Sequence, residues 1–143
     1  ISSWLLDRCI QEQLTNVNAG YRQKAQAVRG WLDDYLGDEL VSIRGGKAGF
    51  YYYLTFRNIE THEQSPFFHF LTRTTGNESI DGPSGSKNPR VIYIPGQHCV
   101  HPHGDLAEMG SRQFRISYAF EELEAIKRAL VIMKEAVEYA RQR

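Results

Sequence analysis

Two amphipathic helical stripes, one near each end of the chain, constrain the fold more than any other sequence feature. The first lies in "AGYRQKAQAVRGWLDDYLG" and the second in "EELEAIKRALVIMKEAVEYARQR". Apolar residues recur at steps of three and four, as on one face of an α-helix: Tyr21, Ala25, Val28, Leu32 and Leu36, then Leu123, Ile126, Leu130, Met133 and Val137. Each stripe must be buried against another element, which the intervening segments have to supply.

The segments between these helices have the composition of strands. "LVSIRGGKAGFYYYLTF" predicts a short strand, a tight turn at Gly45–Gly46 and a longer strand. "RVIYIPG" predicts a strand that ends at Pro95, and "QFRISYAF" predicts one with Phe114, Ile116 and Tyr118 on the same face. A helix is expected in "SPFFHFLTRTTG", which opens with a capping serine and a proline, whereas "TGNESIDGPSGSKNP" predicts a mobile loop.

The order helix, strand, strand, helix, strand, strand, helix predicts the fold class. We expect an α+β two-layer sandwich, in which helices pack on one face of a small, mostly antiparallel sheet. One domain is predicted over 1–143, with a leading helix or helix pair in 1–37 and the sheet and other helices in 38–143. "NVNAG" indicates a kink or break in the leading helix, and Gly37 is expected to end it as a left-handed residue.

The start and composition of the chain bound its class. The sequence begins at Ile1, inside a helical pattern, which suggests a fragment of a longer protein, although a trimmed tag would look the same. Its 17 basic and 17 acidic residues give zero net charge, which argues against a nucleic-acid or membrane-surface protein. The 2 cysteines are too few for a disulfide framework, so a reduced, cytoplasmic setting is expected.

The loop "PGQHCVHPHGD" is the densest cluster of chemically active side chains: His98, Cys99, His101, His103 and Asp105. These residue types suit zinc, but the spacing is not a standard ligand pattern. Neighbouring side chains in extended backbone point to opposite sides, and Pro102 restricts the turn that would bring ligands together. The loop could therefore be a metal site, the lining of another site, or a plain surface loop.

Two further motifs have a functional and a structural interpretation. "RGGKAGF" departs from a phosphate-binding loop, because Ala48 follows Lys47 and a strand, not a helix, follows the glycines. We therefore interpret it as a turn between strands. Arg115 lies in the middle of a strand between two apolar residues. It is either a charged residue on a wet face or a receptor for a carboxylate, which a guanidinium can hold with two hydrogen bonds.

Several of these motifs, taken in order, resemble the small C-terminal domain of fold-type I pyridoxal-phosphate aminotransferases. In that family a glycine-aromatic turn opens a strand, as in Ala48–Phe50, and a later strand ends in Pro95–Gly96. A loop and an arginine-bearing strand follow, as in Arg115–Ser117, and "NAGYRQKAQAVRGWL" is similar to the helix that leads into the domain. Thr74–Pro89 is an insertion relative to the family, and the valine-pyruvate branch is the most similar.

The resemblance implies an enzyme that moves an amino group between an amino acid and a 2-oxo acid. Arg115 would bind the substrate carboxylate, and His98, His101 and His103 would lie near the mouth of the site. The family holds pyridoxal phosphate in its large domain, on a lysine that this chain lacks, so no catalytic residue is expected here. None of the lysines has the family's sequence context: Lys24, Lys47, Lys87, Lys127 and Lys134.

The same resemblance implies further properties. The parent enzyme is expected to be a homodimer that binds small-molecule substrates, with no nucleic-acid or membrane partner. The isolated chain is expected to be inactive and to bind no cofactor or metal. Two other hypotheses stay open: a non-enzymatic module that binds a carboxylate or a protein, and a metal-binding regulatory domain that uses His98–His103.

Overall fold

A computed structural model describes residues 2–143 of the chain. The helices are α1 Ser2–Leu36, α2 Pro66–Thr72, α3 Glu78–Asp81, α4 Ala107–Gly110 and α5 Leu123–Arg141. The strands are β1 Leu40–Gly45, β2 Tyr51–Phe56, β3 Ile94–Pro95 and β4 Gln113–Ser117. Two short 3₁₀ turns, Gly37–Glu39 and Gly96–Cys99, follow α1 and β3.

The four strands form one antiparallel sheet in the order β1-β2-β4-β3. Strand β4 is central and is paired on both sides, with β2 and with β3. Helices α1 and α2 both pack against α5, so the helical layer lies on one face of this sheet. The predicted α+β fold with helices on one face of a small antiparallel sheet is confirmed.

The core lies between the sheet and the helical layer. Alternate residues of β2 and β4 enter it, among them Leu54, Phe56 and Phe114, whose side chains are fully buried. Phe56 stacks on Phe114 with ring centroids 4.9 Å apart, and Phe67 of α2 meets Phe56 edge-on at 5.2 Å. Burying a phenylalanine side chain is worth about 1.5–3 kcal/mol, so this aromatic cluster is a main source of stability.

Most of each predicted helix stripe is buried, whereas Tyr21 and Leu123, the first residues of the two stripes, are only partly buried. The core includes Ala25, Val28, Leu32 and Leu36 of α1, and Ile126, Leu130, Met133 and Val137 of α5. Helix α2 begins as predicted, with the Ser65 hydroxyl accepting a hydrogen bond from the Phe68 amide and Pro66 at the first position. These stripes orient α1 and α5 over the same face of the sheet. On the opposite face, Thr55 and Gln113 are buried near the Gly96–Cys99 turn, whereas Arg115 is half-buried.

Helix α1 corrects two expectations about the leading segment. It runs without interruption through "NVNAG", so the structure shows one helix and no helix pair over the described residues. Isolated Asn and Gly residues each cost a helix about 1 kcal/mol or less, which the good helix formers on both sides outweigh. Gly37 is not left-handed: it opens a 3₁₀ turn, in which the Leu40 amide bonds to the Gly37 carbonyl.

Two other segments differ from their predictions. Only Ile94–Pro95 of "RVIYIPG" pairs with the sheet, and residues 90–93 have no strand partner. The segment predicted as a mobile loop contains the short helix α3. There the buried Asp81 carboxylate accepts bonds from the Thr75 amide, the Thr75 hydroxyl and the Gly76 amide. These hydrogen bonds join groups that are close in sequence. They stabilise the backbone around α3, in a segment that its composition predicts to be a loop.

Candidate carboxylate site on the open face of the sheet

The face of the sheet opposite the helices carries a row of polar and aromatic side chains. In the antiparallel ladder, Tyr53 pairs with Arg115, Tyr51 with Ser117, and Thr55 with Gln113. Side chains alternate along a strand, so these residues point away from the face that carries Leu54 and Phe114. The central strand thus presents Arg115 on the face opposite the helices, called here the open face, next to the buried Thr55 and Gln113.

Arg115 is half-buried and lacks a polar partner among the described residues. Its neighbours Phe114 and Ile116 are 0% and 9% exposed on the helical side, which places the guanidinium on the other side as predicted. The guanidinium carbon lies 5.2 Å from the centre of the Tyr51 ring, a cation–π geometry. Within residues 2–143 the side chain makes no ion pair and no hydrogen bond. Its donors therefore remain available to a ligand.

A shallow cavity of about 270 Å³ surrounds this guanidinium. Besides Arg115, its lining residues are Phe50, Tyr51, Ile92, Tyr93, Ile94 and Ser117, of which Tyr93 has its side chain in the core. Among residues 2–143, Arg115 is the sole charged residue of this lining. The cavity can accept one anionic group beside apolar surface.

The neighbouring polar groups of this face are already paired with each other. The Tyr53 hydroxyl donates to Gln113 Oε1 at 2.9 Å, and Gln113 Nε2 donates to Thr55 Oγ1 at 3.1 Å. Burial, and then the nearby Cys99, raises the pKa of Tyr53, so its hydroxyl stays protonated at neutral pH. This fixed network supports β4 beside Arg115 without competing for the guanidinium.

The Pro95–Gly96 motif holds the following loop tightly against β4. A Cβ atom on Gly96 would lie 2.4 Å from Gln113 Cβ and 2.7 Å from the Gly110 carbonyl oxygen, so only glycine fits. None of His98, His101 and His103 lines the Arg115 cavity, and their contact with a substrate stays a prediction.

The histidines of this loop make other contacts. His98 Nε2 lies 2.5 Å from Glu63 Oε1, and Gln97 donates to the second oxygen of the same carboxylate. The hydrogen bond from His98 is the main reason that the pKa of Glu63 lies below its usual value. His101 and His103 are exposed, with ring centroids 6.0 Å apart. Over residues 2–143, no three His, Cys, Asp or Glu side chains converge to hold a metal.

Sequence reasoning missed Tyr51, Ile92 and Ile94 as neighbours of Arg115. Alternation within "RVIYIPG" could have placed the two isoleucines on one face, opposite Tyr93. Their position beside Arg115 depends on the pairing of Ile94 with Arg115, which no local pattern reveals. Glu63 was missed for the same reason, since its partner His98 follows 35 residues later.

Comparison with known proteins supports the fold. No protein-family model and no curated protein matches the chain. Among solved structures, it is similar to LysN, an alpha-aminoadipate aminotransferase from Thermus thermophilus complexed with N-(5'-phosphopyridoxyl)-L-leucine, with a TM-score of 0.67 and 23% sequence identity. The match covers 94% of this chain and 28% of LysN.

The chain therefore has the α+β fold of an aminotransferase small domain, and it spans 28% of the length of LysN. LysN is an alpha-aminoadipate aminotransferase, so this comparison does not support the resemblance of the chain to the valine-pyruvate branch.

Proposed function

We propose that this chain is the small domain of a pyridoxal-phosphate aminotransferase and supplies the arginine that binds the substrate carboxylate. The observation that carries the proposal is Arg115: an unpaired, half-buried guanidinium in the central strand of an aminotransferase-like domain, as far as residues 2–143 show. Its substrates would be an amino acid and a 2-oxo acid, both of which present a carboxylate.

The setting of Arg115 suits this role physically. The ladders on both sides of β4 fix its backbone, and the Tyr51 ring packs against the guanidinium. A pre-oriented fork loses little conformational entropy when it forms two parallel bonds to a carboxylate. Such a two-pronged, charge-assisted contact contributes about 1.5–3 kcal/mol. Arg115 would therefore bind and orient the substrate.

The residues around Arg115 do not fit pyridoxal phosphate itself. Among the described residues that line the cavity there is no lysine for a Schiff base and no acidic side chain for the pyridine nitrogen. Lys24, which lies near the end of β4, already donates to the carbonyls of Ala119 and Glu121. The cofactor of the parent enzyme would be held elsewhere in the protein, and the isolated chain would not transaminate.

The setting of the parent enzyme is part of the same proposal. We expect a cytoplasmic homodimer with small-molecule substrates and no nucleic-acid partner. Among the helices of residues 2–143, none combines the length and hydropathy that a membrane span requires.

A non-enzymatic module that holds a carboxylate is the second candidate function. The observation that favours it is that the Arg115 cavity is formed by this chain alone. The protein sequence upstream of Ile1 separates the two candidates. A large domain with a lysine after a strand would support the aminotransferase, whereas an unrelated domain there would rule it out.

Substitution of Arg115 in the full-length protein tests the proposed function. Arg115→Ala should lower kcat/KM for amino-acid substrates by about 10- to 100-fold, because each ~1.4 kcal/mol of lost binding is tenfold. Arg115→Lys keeps the charge but loses the planar fork, so it should recover only part of that loss.

Arg44→Ala is a matched control, since Arg44 is an exposed arginine of the edge strand β1, which β2 separates from β4. It should change kcat/KM by less than about twofold. An equally small effect of Arg115→Ala would show that Arg115 is only a charged residue on a wet face.

A further inference from the structure

We propose that the ligand bound at Arg115 carries an apolar side chain next to its carboxylate. On the proposed function, which this inference deepens, the substrates would be amino acids and 2-oxo acids with aliphatic or aromatic side chains. Acidic and basic side chains would be disfavoured. The inference rests on four residues around the guanidinium, called here the apolar rim: Phe50, Tyr51, Ile92 and Ile94.

The apolar rim consists of large hydrophobic side chains that are exposed to solvent. Phe50 is 49% exposed, Tyr51 41%, Ile92 83% and Ile94 39%. Single exposed hydrophobic residues are normal on protein surfaces, but a group of them around one cavity marks a binding surface. All four line the cavity that contains Arg115.

Backbone geometry forces Ile92 and Ile94 into the rim. Tyr93, between them, is 5% exposed and points into the core, where its hydroxyl donates to the Thr61 carbonyl at 2.6 Å. Alternation then directs both isoleucines to the opposite face. The antiparallel register places Ile94 directly opposite Arg115.

The aromatic half of the rim is fixed on the other side of β4. Phe50 meets Tyr51 edge-on with ring centroids 5.9 Å apart, and Tyr51 in turn packs on the Arg115 guanidinium. The cation is therefore flanked by a ring on one side and by branched aliphatic groups on the other. A carboxylate bound here would bring its substituent against this apolar surface.

The charges of the lining residues favour a ligand with one carboxylate and no other charged group. Arg115 can neutralise one carboxylate, and the described lining residues include no second cation for another and no acidic group for an amine. A second charge would lose hydration without a partner. Each methylene that an apolar substituent buries should instead improve binding roughly fourfold.

Binding of 2-oxo acids to the 143-residue chain tests the inference without the cofactor. The probes are 4-methyl-2-oxopentanoate, pyruvate and 2-oxoglutarate at equal ionic strength, followed by NMR shifts of the Ile94 and Arg115 amides. We expect 4-methyl-2-oxopentanoate to bind at least about tenfold tighter than the other two, since it adds an isopropyl group. Arg115→Ala should abolish binding of all three.

Two rim variants and one control variant test whether the apolar rim causes the preference for 4-methyl-2-oxopentanoate. Ile92→Ser with Ile94→Ser should remove the preference but retain pyruvate binding. Val41→Ser with Val131→Ser, which changes exposed apolar residues outside the cavity, should leave the preference intact. Phe50→Ser gives a second rim variant, and circular dichroism checks that each variant folds.

The remaining outcomes separate this inference from the proposed function. Equal affinity for the three probes, or tighter binding of 2-oxoglutarate, would overturn the apolar preference and leave Arg115 as a carboxylate receptor. No binding, or binding that survives Arg115→Ala, would overturn this inference, whereas the proposed function fails if Arg115→Ala leaves kcat/KM of the full-length protein unchanged. A preference unchanged by the rim variants would overturn the assignment of that preference to the rim.

Discussion

The two faces of the sheet differ in whether their side chains find partners within the chain. On the helical face, Phe114 is fully buried in an aromatic cluster with Phe56 and Phe67. On the open face, the next residue along the strand, Arg115, is half-buried and has no polar partner within residues 2–143. One face is satisfied by contacts within the chain, and the other retains binding capacity. Substitution of Phe114 should therefore lower the stability of the fold, whereas substitution of its neighbour Arg115 should mainly weaken ligand binding.

The largest expected effect is on the helical face. Phe114→Ala removes a ring packed against Phe56, Phe67 and Tyr93, and should lower the free energy of unfolding by about 3–5 kcal/mol. Urea denaturation of the 143-residue chain measures it. Arg115→Ala, one residue away, loses only the contact with the Tyr51 ring and should lower this free energy by no more than about 1 kcal/mol. Similar losses for both variants would break the distinction between the faces.

Tyr51 sharpens the comparison on the open face. Tyr51→Leu keeps an apolar side chain but removes the ring that packs on the Arg115 guanidinium. An exposed cation–π contact is worth about 0.5–1 kcal/mol, so carboxylate affinity should fall about two- to fivefold. Tyr51→Phe retains the ring and should bind nearly as well as the unmodified chain in the same NMR titration. Equal losses for Leu and Phe would point to the hydroxyl instead of the ring.

The smallest expected effect lies away from both faces, at Glu63. The bond from His98 holds the pKa of Glu63 below its ordinary value of 4.5. Because the folded-state pKa is lowered, the resulting stability is complete above about pH 4.5 and is lost as the pH falls through the lower folded-state value. The pair is exposed, so the contribution should be no more than about 1 kcal/mol.

Urea denaturation between neutral and acidic pH measures this effect. Glu63→Gln should reduce the acid-dependent loss of stability, and Glu60→Gln is the matched control, because Glu60 is an exposed carboxylate bonded to His62. An unchanged pH profile in Glu63→Gln would show that the contact with His98 contributes nothing measurable.

Much of the helical face could be predicted from local patterns. Steps of three and four identified the stripes of α1 and α5, and Ser65–Pro66 marked the start of α2. Alternation in "QFRISYAF" separated Phe114 and Ile116 from Arg115. These predictions succeeded because apolar residues on a buried face recur with the period of their helix or strand, which can be read from neighbouring residues. The prediction of a left-handed Gly37 was wrong, because α1 continues into a 3₁₀ turn that needs no left-handed residue.

The open face could be predicted only in part. The identity of Arg115 as a candidate anion receptor came from its residue type and from a family resemblance. The rim did not, because Ile92 and Ile94 reach Arg115 through strand pairing between distant parts of the chain. The histidine loop was predicted only by residue type: His98 contacts Glu63, His101 and His103 are exposed, and their role in lining a site stays a prediction.

The edges of the sheet have a consequence for aggregation. Strand β3 forms one edge with only two residues, and one of these, Pro95, has no amide hydrogen to offer another strand. At the other edge, the β1 register is irregular between Leu40 and Ser42, and Arg44 is exposed. Short, proline-bearing or charged edges resist pairing with other chains. A domain that exposes an apolar rim is thus protected from growing into an intermolecular β-sheet.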